Sequence, residues 1–186
     1  MVPWEGTEIA ELVSSCDRSL AIGLRDFAIL LLLARLGLRS CEVVGLELDN
    51  IDWRAGELTV QGKGGGVDRL PLPSDVGEAL AAYLYDGRPR AESRKVFLAS
   101  LAPQRGLCPS SVSHVYRRAC QRTGRDPVGP HRLRHALATM LLAQGAKVPQ
   151  IGLVLRHRDL ATTAAYAKVD IAGLRSVAQC WPGAER

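Results

Sequence analysis

The spacing of apolar positions changes twice along the chain and predicts helices, then strands, then helices again. Apolar residues at helical spacing predict helices over residues 7–16, capped at Thr7, and over residues 24–36. The second helix is nearly all apolar, which predicts burial, and Gly37 is suited to end it. Ser40 can cap a short third helix, which leaves Arg39 at a bend just before a helix N-terminus.

The middle of the chain alternates with a period of two, which is typical of strands. It predicts strands at residues 51–53, 57–61 and 67–72, separated by Ala55-Gly56 and by the turn GKGGG at residues 62–66. Short turns between consecutive strands favour an antiparallel meander. Helical spacing then predicts helices at residues 74–85, 109–123, 131–144, 148–155, 159–168 and 171–179, with one short strand at 96–98. The predicted fold class is mainly α with a small three-stranded antiparallel β-sheet (α+β).

Length and composition predict one globular domain over residues 1–186, with 47% hydrophobic and 23% charged residues. The net charge of +5 is compatible with a polyanionic partner but does not establish one. The longest apolar run, residues 27–34, is far shorter than the roughly 20 residues that span a bilayer, and the N-terminus lacks signal-peptide features. Five cysteines without a CxxC pair indicate reduced thiols. We therefore expect a cytoplasmic protein with no membrane partner.

The strongest chemical signal is the segment HRLRH at residues 131–135. Pro130 fixes the start of a helix there, so His131, Arg134 and His135 lie near one face of its first turns. Nitrogen-rich side chains at the positive end of a helix dipole attract an anion, and phosphate is the obvious one. The alternative is structural: His131 caps the helix, Arg134 pairs with a carboxylate and His135 is a core histidine.

A zinc site is a second alternative for the same histidines. His131 and His135 are four residues apart, and His157 could supply a third ligand. However, Arg132 stands where a zinc peptidase has glutamate, and Arg134 would repel a cation. The sequence therefore favours a site without metal.

Three further residues complete a possible phosphoryl-transfer site. Tyr166 follows a run of small residues that leaves its phenol accessible, but a phenol with a pKa of about 10 needs a proton acceptor and a cationic clamp to attack. Arg39 could join Arg134 in holding phosphate oxygens in place of a metal ion, and Lys63 in its glycine-rich turn could protonate a leaving alkoxide. Each also has an ordinary alternative: a half-buried aromatic, an arginine paired with Glu42, and a solvated hairpin lysine.

Taken together, these motifs resemble the C-terminal catalytic domain of the tyrosine recombinase (phage integrase) family. Residues 37–46 resemble its first arginine motif, residues 60–64 its lysine hairpin, and residues 129–170 its remaining motifs. The resemblance implies that Arg39 and Arg134 clamp the scissile phosphate, with Lys63 as general acid and Tyr166 as nucleophile. It also implies proton-handling roles for His131 and His157, supporting roles for Glu42 and His135, and DNA contacts by Arg39, Lys63, Arg132, Arg134 and Arg156.

The reaction implied by the resemblance is the cleavage and rejoining of double-stranded DNA through a 3′-phosphotyrosyl intermediate, without metal or nucleotide cofactor. It also implies a homo-oligomer, a tetramer, on DNA. A degenerate DNA-binding remnant without catalysis and a type IB topoisomerase-like enzyme are the two alternatives. The target DNA sequence and the kind of host element do not follow from the sequence.

The chain departs from the family pattern at two positions and at its start. Gly66 stands where many relatives carry a basic residue, which weakens one expected DNA contact. Arg156 stands where glycine is frequent, and we interpret it as a tolerated variant. Relatives usually carry an N-terminal helical core-binding domain that is absent from these 186 residues, so a fragment, a trimmed chain and a natural short form all remain open.

Overall fold

The structure is a computed structural model that describes residues 6–62 and 66–156. It confirms the predicted fold class, because most of the described elements are helices and the three strands form one small antiparallel sheet. A 3₁₀ turn at Leu48–Asn50 precedes the sheet, and a π-helical turn at Tyr83–Gly87 extends the fourth helix. The main elements in chain order are α1 (Gly6–Ser14), α2 (Ala21–Arg35), α3 (Ser40–Gly45), β1 (Ile51–Asp52), β2 (Glu57–Gln61), β3 (Val67–Pro71), α4 (Ser74–Ala82), α5 (Pro109–Arg122), α6 (His131–Ala143) and α7 (Val148–Leu155).

Helix α2 is the centre of the core. It packs against α1, α3, α4, α5 and α6, and residues 28–34 are all buried. A helix that is apolar on every side gains stability only when neighbours cover every side, as they do here. Gly37, with φ of +57°, follows its end in the left-handed conformation and turns the chain toward Arg39.

A buried ion network also holds α2, and the apolar pattern did not predict it. Asp26 is almost fully buried, and its carboxylate accepts hydrogen bonds from Arg25 and from Arg118 of α5, the latter at 2.6 Å. Arg25 also donates to the Leu98 carbonyl at 3.2 Å. These contacts fix the first turns of α2 to α5 and to the segment that precedes α5.

The sheet has the order β1-β2-β3, and both pairs are antiparallel as predicted. Leu58 and Val60 of β2 point into the core from the same face. The Gly62 N–H donates to the Gly66 carbonyl at 2.8 Å and so closes the hairpin whose turn contains residues 63–65. The register places Asp68 of β3 opposite Val60.

Several predicted boundaries are wrong. Thr7 lies inside α1, and Ser40 is the first residue of α3, with Arg39 in the capping position. Residues 96–98 do not form a strand; among the described residues, Leu98 makes only an isolated bridge to Gly106. The predicted helices at 159–168 and 171–179 lie outside the described residues. Over residues 6–62 and 66–156, none of the helices has the length and apolarity that crossing a bilayer requires.

Replacing Gly37 by alanine should destabilise the fold. An added Cβ would lie 2.8 Å from Leu155 Cδ2 and 3.1 Å from Leu137 Cδ2, at a backbone conformation that alanine rarely adopts. We expect Gly37→Ala to lower the free energy of unfolding by about 1 to 3 kcal/mol in urea titrations. Gly45→Ala is the control, because a Cβ there meets nothing within 4 Å. Equal stability of the two variants would contradict the close packing of α6 and α7 on Gly37.

Candidate active site

The site is built around Glu42, the third residue of α3. Its Oε2 accepts the main-chain N–H of Arg39 at 2.7 Å, and its Oε1 accepts a hydrogen bond from Arg39 Nη1 at 2.9 Å. The first bond satisfies an N–H that would otherwise have no partner at the helix start. The second hydrogen bond orients the Arg39 guanidinium toward Glu42, on the side of α3. The Glu42 side chain is only 2% exposed, whereas that of Arg39 is 32% exposed.

Arg134 enters the site from the first turn of α6. Its Nη1 donates a short hydrogen bond to the carbonyl of Gly37, two residues before Arg39. The residue is only 7% exposed. Its Nη2 is buried and has no hydrogen-bond acceptor among the described residues. The guanidinium is therefore fixed at one nitrogen and retains unused donor capacity at the other.

Arg156 enters from the end of α7. Its Nη2 donates to Glu42 Oε2 at 2.7 Å, and its own carbonyl accepts a hydrogen bond from Arg39 Nη2 at 3.4 Å. Its Nε lies 3.9 Å from Asp68 Oδ2 on β3. Asp68 is close to the hairpin turn that contains Lys63. The described contacts thus bring α3, α6, α7 and this hairpin to one place.

The electrostatics of the site favour an anion. Three guanidiniums surround one carboxylate, and the pKa of Arg134 is lowered to about 10 by burial and by the charges of Arg39 and Arg156, against the opposing effect of Glu42. Burial alone would raise the pKa of Glu42, but the charge of Arg156 and hydrogen bonds from both partners outweigh it and lower that pKa. Buried N–H groups without acceptors among the described residues remain on Arg134 Nη2 and on Arg156 Nε and Nη1. A phosphate oxygen is the natural acceptor for the free donors of Arg134.

The structure brings together Arg39, Glu42, Arg134 and Arg156 from the predicted set. His131 and His135 are both exposed on α6, and Arg132 is half-buried. The roles of these three residues stay predictions. Three predicted residues lie outside the described residues: Lys63, His157 and Tyr166.

Two features of the site were not found from the sequence. The Gly37 carbonyl holds Arg134, and main-chain acceptors leave no trace in a residue pattern. Arg156 was interpreted as a tolerated extra cation, but the structure gives it a specific ion pair with Glu42. The one sequence feature that could have indicated this ion pair is a long charged residue at a helix end where glycine is frequent.

The chain is similar in sequence to integrases and recombinases. The sequence matches the Phage integrase family over residues 5–172. It is 54% identical to "Putative integrase/recombinase y4rA" of Sinorhizobium fredii over 95% of this chain and 44% of that protein. It is 42% identical to "Putative integrase/recombinase y4gC" of the same organism, over 95% of this chain and 93% of that protein.

A solved structure shares the fold over nearly the whole chain. The integrase from mycobacterium phage Brujita superposes with a TM-score of 0.75 at 25% identity, covering 96% of this chain and 57% of that one. The chain thus spans less than half of the first curated relative, nearly all of the second, and somewhat more than half of this structural relative.

Replacing Glu42 by glutamine should destabilise the protein in a pH-dependent way. The folded state lowers the pKa of Glu42, so its ionised form stabilises the fold fully above the ordinary carboxyl pKa of about 4.3, and this contribution is lost as pH falls through the folded value. We expect Glu42→Gln to cost about 3 kcal/mol near pH 7, because it leaves buried guanidiniums without their anion. The difference from the unchanged protein should shrink below about pH 4.

The measurement is urea unfolding at several pH values. Glu11→Gln is the matched control, because the Glu11 side chain is 65% exposed in its ion pair with Arg125 and such surface pairs contribute less than about 1 kcal/mol. A Glu42→Gln effect as small as this control, or one that does not vary with pH, would contradict the buried ion-pair assignment.

Proposed function

Since this chain belongs to the phage integrase family, we propose that it cleaves and rejoins double-stranded DNA through a covalent tyrosine–phosphate intermediate. The observation that supports this most is the convergence of Arg39 and Arg134 at one buried, positively charged site. Arg134 Nη2 carries N–H donors there that lack an acceptor among the described residues. A DNA phosphate supplies both the missing acceptor and the missing negative charge.

The two arginines suit the transition state better than the ground state. A phosphodiester carries one negative charge, and its five-coordinate transition state carries two. Guanidiniums held in place before the substrate arrives need no reorganisation when that second charge develops. Arg134 is held by the Gly37 carbonyl and Arg39 by Glu42, so both are preorganised by the fold. The pair supplies charge that a metal ion supplies in other phosphoryl-transfer enzymes.

The proposed reaction takes its remaining groups from the family resemblance. The Tyr166 hydroxyl oxygen attacks phosphorus, a 3′-phosphotyrosyl bond forms and the bond from phosphorus to the 5′ oxygen breaks. Lys63 gives a proton to the leaving 5′ oxygen, while His131 and His157 accept the phenol proton or hydrogen-bond the phosphate. A 5′-hydroxyl of a partner strand then reverses these steps. One phosphodiester is exchanged for another, so no nucleotide cofactor is consumed.

The proposal also covers the oligomeric state and the cellular location of the protein. Exchange between two duplexes needs several active sites, so we assign the protein a homo-oligomeric state, a tetramer, when it is bound to DNA. We also propose that residues 1–186 form the catalytic domain of this assembly and that the protein is cytoplasmic. Arg132 is assigned to the DNA-facing side, together with the clamp arginines, whereas the Arg156 side chain is only 7% exposed and binds Glu42, so we assign it no DNA contact.

Tyr166→Phe should abolish covalent attachment to DNA while leaving binding nearly unchanged, because only the nucleophilic oxygen is removed. The assay incubates the protein with nicked duplexes of randomised sequence, which trap the cleaved state, and detects protein–DNA adducts that resist denaturant. Tyr85→Phe is the matched control, since Tyr85 is 91% exposed. An adduct formed by Tyr166→Phe, or lost in Tyr85→Phe, would contradict the assignment.

The same assay separates the two alternatives. DNA binding without any adduct from the unchanged protein identifies a non-catalytic remnant. Adducts accompanied by relaxation of supercoils by a monomer, with no joining of two sites, identify a type IB topoisomerase-like enzyme. Recombination between two copies of the selected site supports the proposal.

Arg39→Ala and Arg134→Ala should each reduce cleavage by about a hundredfold or more, because each removes a preorganised donor to the phosphate. Arg105→Ala, in an exposed loop, serves as the matched control. EDTA should leave cleavage unchanged. Cleavage that requires a divalent metal would instead favour a metal-dependent nuclease.

A further inference from the structure

Arg156 has an unusual backbone for an arginine. Its φ of 53° and ψ of 50° place it in the left-handed region at the end of α7, and it is the only non-glycine residue with positive φ in the part of the chain that the structure describes. This conformation explains why glycine suits the position, since glycine adopts it without steric cost. An arginine that remains there should have contacts that hold it.

The side chain of Arg156 contacts Glu42, and its main-chain carbonyl contacts Arg39. Arg156 Nη2 donates to Glu42 Oε2 at 2.7 Å, while the Arg156 carbonyl accepts from Arg39 Nη2 at 3.4 Å. The side chain is only 7% exposed, so the ion pair is shielded from water. Arg39, Glu42 and Arg156 therefore form a closed ring of contacts between the start of α3 and the end of α7.

The ring restricts the Arg39 guanidinium. Among the described residues the guanidinium has two partners: Glu42 Oε1, which accepts from Nη1 at 2.9 Å, and the carbonyl of Arg156, which accepts from Nη2 at 3.4 Å. Any residue at position 156 supplies that carbonyl, so what the Arg156 side chain adds is its ion pair with Glu42. That ion pair fixes the carboxylate that orients Arg39, and it joins the end of α7 to the start of α3.

We propose that Arg156 is a positioning residue for strand cleavage: it holds Arg39 in its phosphate-binding orientation through Glu42 and fixes the end of α7 to the start of α3. This inference rests on the proposed function. It replaces the interpretation of Arg156 as a tolerated extra cation. The residue acts through Arg39 and Glu42 and not by direct contact with the reacting atoms.

Loss of Arg156 should also change the charge state of Glu42. The described charged groups around this carboxylate are Arg39 at the start of α3, Arg134 on α6 and Arg156 at the end of α7, with Asp68 of β3 beside Arg156. The charge of Arg156 is the largest of the effects that lower the pKa of Glu42, whereas burial raises it. Removing Arg156 therefore raises that pKa and lets Glu42 take up a proton at a higher pH.

The test compares Arg156→Gly with the unchanged protein in single-turnover cleavage of nicked duplexes. Glycine accepts the left-handed backbone, so a loss of activity is not caused by strain. We expect cleavage to fall about tenfold to a hundredfold, with DNA affinity changed less than about threefold, because misorientation of a catalytic group affects rate more than binding. The acidic limb of the pH–rate profile should move to higher pH. Arg156→Lys keeps the positive charge but not the several N–H donors of the guanidinium, so it should recover part of the lost cleavage rate.

Two controls make the result decisive. Arg94→Gly removes an arginine from an exposed ion pair with Asp49 and should not move the acidic limb. Adding Arg156→Gly to Glu42→Gln should reduce cleavage much less than Arg156→Gly does alone, because the two residues act as one unit. Unchanged cleavage by Arg156→Gly at every pH, or effects of the two changes that simply multiply, would overturn the proposal.

A failure of the proposed function gives a different pattern. If the unchanged protein forms no adduct, the strand-cleavage proposal fails, and the Arg156 contact is then tested by unfolding. The pH at which Glu42 stops stabilising the fold should be higher in Arg156→Gly than in the unchanged protein. No change in that pH would overturn the assignment of Arg156 independently of any DNA chemistry.

Discussion

The buried carboxylate of Glu42 is the interaction on which the arrangement of the site depends. A charge removed from water is stable only when other charges or hydrogen bonds replace its solvation. Here the replacement comes from the main chain and side chain of Arg39 and from Arg156, which belongs to an element more than a hundred residues later. The requirement to satisfy one carboxylate thus brings the beginning of α3 and the end of α7 together, and it does so close to Arg134.

One carboxylate does not neutralise three guanidiniums, and this imbalance connects stability with function. The like charges, and the buried N–H groups that lack acceptors among the described residues, make this cluster less stable than a balanced one. In the proposed reaction a phosphate relieves both costs when it binds. The relief is greatest in the transition state, which carries an extra negative charge, so the stability given up by the fold contributes to catalysis.

Sequence patterns predicted the features that follow from local periodicity, namely the elements and the residues placed at their ends. The apolar run of α2, the alternation in the three strands and the positions of Arg39 and Arg134 near helix starts all follow from spacing along the chain. The buried Asp26 network does not, because its partner Arg118 is 92 residues away and looks like a surface residue in its own helix. The ion pair of Arg156 with Glu42 was missed for the same reason. Its partner is chosen by tertiary structure, and its left-handed backbone becomes visible only when α7 is seen to end there.

The parts of the site differ in how firmly the fold holds them. Arg134 and Arg156 are buried and bonded to groups of the core, whereas the lysine hairpin is joined to this cluster by a longer contact, 3.9 Å between Arg156 Nε and the half-exposed Asp68. The register of β2 and β3, and not that contact, sets where the hairpin turn lies. This division matches the proposed chemistry, in which groups that stabilise charge must be oriented before the substrate arrives. In that proposal the general acid acts on a leaving oxygen whose position the bound DNA itself defines.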